Sequence, residues 1–93
     1  MTSQSARPKT RVKVTVTFPI SPRGPFHSEE PDDATIAAVR QAAMSFFGVA
    51  EDGQHAYYLT HAGSQVTDDV TVGEVAGHAK AVKFTLVKEL IQG

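Results

Sequence analysis

The sequence contains no cysteine and no tryptophan, and only 8% of its residues are aromatic. Without cysteine the chain has no disulfide, no thiolate metal site and no cysteine nucleophile. If this protein takes part in thioester chemistry, the sulfur therefore belongs to a partner. The scarcity of aromatic rings also argues against a platform on which nucleic-acid bases would stack.

Neither sign of charge dominates, because 9 basic and 10 acidic residues leave a formal net charge of −1. Nucleic-acid-binding proteins usually carry a clear positive excess. No apolar run approaches the roughly 18–20 residues that a membrane helix needs, and the N-terminus lacks the apolar core of a signal peptide. We therefore expect a cytoplasmic protein with no nucleic-acid partner and no membrane contact, and its 93 residues make one domain.

The first amphipathic segment begins at Arg11. Residues 1–10 are polar and without apolar period, which predicts a disordered N-terminal tail. From Val12 to Phe18, β-branched and aromatic residues alternate with polar ones, as in a half-buried strand. A weaker strand, Phe26 to Glu30, lies between two prolines, a pattern that favours a sheet edge.

One helix is predicted after Asp33. Thr35 is placed to cap it, and Gly48 follows the last apolar residue, where a positive φ often ends a helix. The predicted core face and the predicted outward positions follow from the helical period. The core face comprises Ile36, Val39, Ala43, Phe46 and Phe47, and the outward positions are Arg40, Gln41 and Ser45.

The second half of the chain predicts a strand from His55 to His61, a tight turn, a short returning strand and one helical turn at 71–75. A last strand carries Val82, Phe84 and Leu86 on one face. Two amphipathic strands at the ends of the chain, with a helix between them, suit parallel central neighbours joined by a crossover. The expected fold is α+β: a β-grasp in which a mixed four- to five-stranded sheet wraps around one helix.

The segment from Tyr57 to Val75 resembles ubiquitin without a gap. The residues identical in this alignment are Leu59, Ala62, Gly63, Gln65, Asp68 and Thr71. Upstream, Glu30-Pro31 and the run Thr35 to Val39 are similar to ubiquitin with one residue added. The resemblance covers about residues 12–93 and implies a ubiquitin-like domain at 11–87, followed by a flexible conjugation tail at 88–93.

The resemblance also implies a function. In ubiquitin-like modifiers an ATP-dependent activating enzyme adenylates the C-terminal glycine carboxylate, and the acyl group passes through a thioester to an amine of the target protein, which forms an isopeptide bond. Here that carboxylate would belong to Gly93, presented by Glu89, Leu90, Ile91 and Gln92. Glycine suits a narrow channel because it has no Cβ. The implied partners are activating and conjugating enzymes, a processing or removing metallopeptidase, and target proteins.

The tail departs from the ubiquitin pattern. Gln92 stands at the position of the penultimate glycine, and Glu89 and Ile91 stand at the positions of two arginines. The basic tail that eukaryotic activating enzymes recognise is therefore missing. Diverged modifiers encoded in bacterial operons beside their own conjugation enzymes, some of them in anti-phage defence, are a closer likeness. The chain is accordingly expected to be a monomer and not an enzyme.

A partner surface is expected on the sheet face opposite the helix, where ubiquitin binds most of its partners. The matching positions are Ile20, Tyr58, Thr60, Gly63, Thr85 and Val87. The four histidines are scattered and predict no metal site. Helix-start and turn chemistry explain the Asp32-Asp33 and Asp68-Asp69 pairs without catalysis, so no catalytic residue and no cofactor are expected.

Two other functions remain open at this point. The chain could be a non-covalent interaction domain that uses the sheet face. It could also be a sulfur carrier with a C-terminal thiocarboxylate, although such carriers characteristically end in two glycines and Gln92 departs from that pattern. Whether Gly93 is the native end or is exposed by processing stays open as well.

Overall fold

The computed structural model describes residues 11–91. The predictions for residues 1–10 and for Gln92 and Gly93 lie outside these described residues. The elements are β1 (Arg11–Thr17), β2 (Phe26–Pro31), α1 (Ile36–Phe47), β3 (His55–His61), β4 (Ser64–Val66), α2 (Val72–Ala76) and β5 (Ala81–Leu90).

Five strands form one mixed sheet in the order β2-β1-β5-β3-β4. The two strands from opposite ends of the sequence, β1 and β5, are parallel neighbours, with Val14 opposite Val82 and Thr17 opposite Thr85. All other neighbouring pairs are antiparallel. The predicted β-grasp topology is confirmed, and the weak strand β2 lies at the sheet edge as its prolines indicate.

The core lies between one sheet face and α1. The alternating positions predicted from β1 and β5 are all buried, and the helix contributes a matching apolar stripe. The buried hydrophobic residues of the whole core are Val12, Val14, Val16, Phe18, Ile36, Val39, Ala43, Met44, Phe47, Tyr57, Leu59, Val72, Val82, Phe84 and Leu86. Among residues 11–91, both helices belong to the core side, and the outward-facing residues of β1 and β5 are exposed or half-buried.

The two ends of α1 and the β3–β4 turn have the local chemistry that the sequence indicates. The Thr35 hydroxyl accepts a hydrogen bond from the Ala38 N–H at 3.3 Å, and Gly48 has a φ of 74° just past α1. The β3–β4 turn requires positive φ at Ala62 and Gly63, with values of 53° and 85°. Such a pair of left-handed residues is typical of a two-residue hairpin turn.

The predicted boundary between domain and tail is wrong at its first residues. Lys88, Glu89 and Leu90 belong to β5 and pair in register with Tyr57, Ala56 and His55. The sequence pattern missed this because the alternation of buried and exposed residues fades there, although backbone pairing with β3 continues. The described strand therefore extends three residues into the segment interpreted as a flexible tail.

The prediction that Arg40 points outward is also wrong. Arg40 is only 8% exposed, and its guanidinium is held by Asp68 and Glu51. Its side chain lies along the margin of the core, where the long aliphatic stem packs while the charged end binds carboxylates.

Among residues 11–91, no helix is long and apolar enough to cross a membrane.

Candidate functional site

The base of the tail, defined as residues 89–91, is held against β3 and the residue before it. After the Leu90–His55 pair, the Ile91 N–H donates to the Gln54 carbonyl at 2.8 Å. The side chains of Leu90 and Ile91 are 59% and 49% exposed, and Glu89 is exposed as well. The last described residues are therefore held by their backbone while their side chains face solvent.

The loop that receives Ile91 is organised by Asp52. Its carboxylate accepts the backbone N–H groups of Gln54 and His55 at 2.8 and 2.9 Å, and it contacts the His55 Nδ1 at 3.0 Å. The hydrogen bond to the His55 ring, followed by the Gln54 N–H, lowers the pKa of Asp52 to about 2. The same carboxylate thus orders the backbone on which the base of the tail rests.

Replacing Asp52 with Asn is expected to lower the melting temperature at about pH 6, because asparagine keeps an acceptor oxygen but removes the charge. The carboxyl has a lower pKa in the folded chain than its ordinary value of 3.8, so its stabilisation is present above 3.8 and is lost as the pH falls through about 2. The melting temperatures of wild type and variant should therefore approach each other as the pH falls from 3.8 and converge once it is below about 2. A difference that persists there would contradict the assignment.

The predicted partner surface is only partly brought together. Ile20, Thr85 and Val87 line one shallow, mostly apolar groove with Phe18, Pro19, Leu86 and Lys88. Tyr58 lies directly opposite Val87, and Thr60 directly opposite Thr85, across the β3–β5 pair. Gly63 lies in the β3–β4 turn and does not line this groove.

Arg23 fixes the loop that carries Ile20. Its Nη1 donates to the Phe46 carbonyl at 2.8 Å, and its guanidinium lies 5.4 Å from the centre of the Phe46 ring. The positive charge thus satisfies a carbonyl near the negative end of α1. Ile20 itself is 69% exposed, so the loop presents a large apolar side chain beside the sheet.

Tyr58 and Glu89 place polar groups beside Val87 on the outer sheet face. Partial desolvation, reinforced by the nearby Glu89 carboxylate and a hydrogen bond to it, raises the pKa of Tyr58. The neutral phenol therefore donates its O–H to Glu89, and its oxygen can still accept a hydrogen bond. Among residues 11–91, no cluster of three or more histidine, aspartate or glutamate side chains could hold a metal ion.

This geometry defines a ubiquitin-like β-grasp: a mixed five-stranded sheet with one long helix, an open outer face, and a last strand that leads into the C-terminal segment. Solved structures support the class. The chain is similar to the ubiquitin of Caldiarchaeum subterraneum, with a TM-score of 0.70 and 24% identity over 89% of this chain and 99% of that one.

Two further likenesses are more distant in sequence. ATG8 of Trypanosoma brucei gives a TM-score of 0.69 with 10% identity, covering 90% of this chain and 78% of that one. A structure described as a molecular mimicry of SUMO that promotes DNA repair gives a TM-score of 0.68 with 10% identity, covering 90% of this chain and 99% of that one. No protein-family model and no curated protein matches the chain. These likenesses show the fold.

Proposed function

We propose that this chain is a non-enzymatic, cytoplasmic protein modifier that is conjugated to target amines through the carboxylate of Gly93. The observation that carries the proposal is the construction of the C-terminal side of the sheet. β5 and the Ile91–Gln54 hydrogen bond hold the backbone up to Ile91, while Leu90 and Ile91 keep exposed side chains that an enzyme can contact. The proposal needs a free Gly93 carboxylate, supplied either by synthesis or by proteolysis of a longer precursor.

The chemistry follows from the low reactivity of a carboxylate toward amines. A Gly93 carboxylate oxygen attacks the α-phosphorus of ATP, pyrophosphate leaves, and an acyl-adenylate forms. A thiolate of the activating enzyme then attacks the acyl carbon and releases AMP. Finally the target amine attacks the thioester, the thiolate leaves, and the amine loses a proton. Because the chain has no cysteine, every thiolate in these reaction steps belongs to a partner enzyme.

The proposed setting is a bacterial conjugation operon of the anti-phage defence type. Its activating and conjugating enzymes would be adapted to a tail with Glu89, Ile91 and Gln92 in place of the basic and glycine residues of ubiquitin. A metallopeptidase from the same operon would process or remove the modifier. Genes for these enzymes beside this one would support the setting.

The test is to incubate the full chain with its cognate activating enzyme and ATP, and to measure intact mass. The expected products are an adenylate of this chain and a thioester with the enzyme, the latter cleaved by a thiol reductant. An unchanged mass under conditions in which the enzyme activates a control modifier would overturn the proposal. A thiocarboxylate as the end product would instead support a sulfur carrier.

A second candidate, a non-covalent interaction domain, is favoured by one feature: the groove beside Val87, into which the fastened loop presents Ile20. Here we expect Val87→Asp to abolish partner binding, because it places a charge within the apolar contact. Val87→Thr is the matched control, since it keeps the shape of the side chain without a charge. Binding that survives Val87→Asp, measured by calorimetry, would exclude this surface.

A further inference from the structure

The last strand has one edge that the rest of the sheet leaves uncovered. β1 follows β5 only as far as the Thr17–Thr85 pair, whereas β5 continues to Leu90 along β3. The chain turns away after β1, where the Ser21 N–H donates to the Phe18 carbonyl at 2.9 Å. Beyond Thr85, therefore, β5 has a described neighbour on its β3 side alone.

The direction of the free backbone groups follows from one hydrogen bond. The Ile91 N–H donates to the Gln54 carbonyl across the β3 edge, and hydrogen-bonded pairs alternate along an antiparallel ladder. Val87 and Glu89 therefore also bond toward β3, opposite Tyr58 and Ala56. The N–H and C=O groups of Lys88 and Leu90 point to the other edge, and no residue within 11–91 pairs with them there.

The side chains along this edge define what can pair with it. Lys88 is exposed and forms no hydrogen bond or ion pair within the described part of the chain, and Leu90 projects from the same strand face two residues on. On the other face, Val87 lies in the apolar groove with Pro19 and Ile20. The edge thus offers the apolar side chains of Val87 and Leu90 and the charge of Lys88, while the Glu89 carboxylate between Lys88 and Leu90 is hydrogen-bonded to Tyr58 on the Val87 face.

A second copy of this chain fits the edge poorly. Antiparallel self-pairing through the open groups sets Lys88 opposite Lys88, and moving the register one step toward the C-terminus of each strand sets Glu89 opposite Glu89. Like charges directly opposite each other destabilise a strand pair, and an edge lysine commonly discourages such association. A strand with a carboxylate opposite Lys88 and an uncharged residue opposite Glu89 therefore fits this edge better than a second copy does.

We propose that the open edge of β5, from Val87 to Leu90, receives an extended acidic segment of a partner protein as an added antiparallel strand. The partner's backbone bonds to Lys88 and Leu90, its carboxylate lies opposite Lys88, and its apolar side chains lie opposite Val87 and Leu90. Added strands gain affinity from backbone bonds and specificity from alternate side chains. This proposal concerns binding alone, so it can fail or succeed independently of activation at Gly93.

The test uses the full chain labelled with ¹⁵N and the peptide acetyl-Thr-Leu-Thr-Glu-Val-Thr-amide. In the free protein the amides of Lys88 and Leu90 should exchange with solvent faster than those of Val87 and Glu89. Peptide should slow exchange at Lys88 and Leu90 while leaving the other two unchanged. Lys88→Glu should weaken binding about fivefold, the upper range for one exposed ion pair. A peptide with lysine in place of its glutamate should prefer that variant.

Lys83→Glu is the matched control, because it makes the same charge change on the same strand where β1 covers the edge. It should leave peptide affinity unchanged, and an equal loss would show nonspecific attraction and overturn the proposal. Leu90→Pro removes the N–H on the open edge as well as the leucine side chain, so it should lose binding, whereas Leu90→Ala, which loses the apolar side chain alone, should only weaken it. Peptide-induced shifts confined to β2, or concentration-dependent protection of Lys88 and Leu90 without peptide, would also overturn it, the latter in favour of a second copy.

Discussion

Deletion of Gly93 is expected to abolish conjugation completely while leaving the fold intact. The deletion replaces the reacting glycine carboxylate by one on Gln92, whose side chain would have to enter a channel suited to a residue without Cβ. The core is built from residues 12–86, so the melting temperature should not change. Intact mass after incubation with the activating enzyme and ATP measures the loss of adenylate and thioester directly.

Two variants make this result specific. Gly93→Ala keeps the chain length and adds a single methyl group, so it should retain only a small fraction of wild-type activation. Gln92→Gly restores the glycine pair that ubiquitin has and should remain active, which shows that the tail tolerates change one residue away. Normal activation of the deletion variant would end the modifier proposal, although it would leave the strand-addition proposal untouched.

Arg40→Ala is expected to cost about 3 kcal/mol of unfolding free energy, from lost charge-assisted hydrogen bonds and lost packing of the aliphatic stem. The Nε and Nη2 atoms bind the two Asp68 oxygens at 3.1 and 2.9 Å, and Nη1 binds Glu51 at 3.2 Å. Those hydrogen bonds, chiefly with Asp68, outweigh burial and raise the pKa of Arg40. The partner carboxylates are 54% and 69% exposed, so solvent screening keeps the cost below that of a fully buried pair.

Urea unfolding of single and double variants measures this contribution. Arg40→Lys should recover little, because an ammonium cannot reproduce the planar two-point contact with Asp68. Arg40→Met should recover part of the stability, since it replaces the aliphatic stem without a charge to desolvate. A cycle of Arg40→Ala and Asp68→Ala in which the two effects simply add would show that the pair contributes nothing.

Most of the fold was predictable from short-range patterns. Strict alternation in β1 and β5 fixes which side chains face the core, because successive strand residues point to opposite sides. Thr35 and Gly48 mark the ends of α1, and Ala62-Gly63 marks the hairpin turn. These signals lie within a few residues of the structure that they specify, so one sequence suffices to read them.

The candidate site was less accessible to sequence reasoning. The wrong prediction for Arg40 has a physical source. The helical period shows on which side of α1 a residue lies, but it does not show that Asp68 and Glu51, which make burial of the Arg40 side chain favourable, pack against that side. The spacing of Asp52 and His55 is a usable local signal for the ordered loop. Nothing comparable pointed to Arg23 against Phe46, since that contact joins a loop to a helix end 23 residues away.

The sequence by itself determined the strand faces, the helix and its caps, and the β-grasp order, because propensity, period and turn chemistry act locally. Only the tertiary structure decided where β5 ends, which of its edges stays open, and which charges meet across the core margin. Those features depend on backbone pairing and on contacts between distant residues, and side-chain patterns carry no direct record of either.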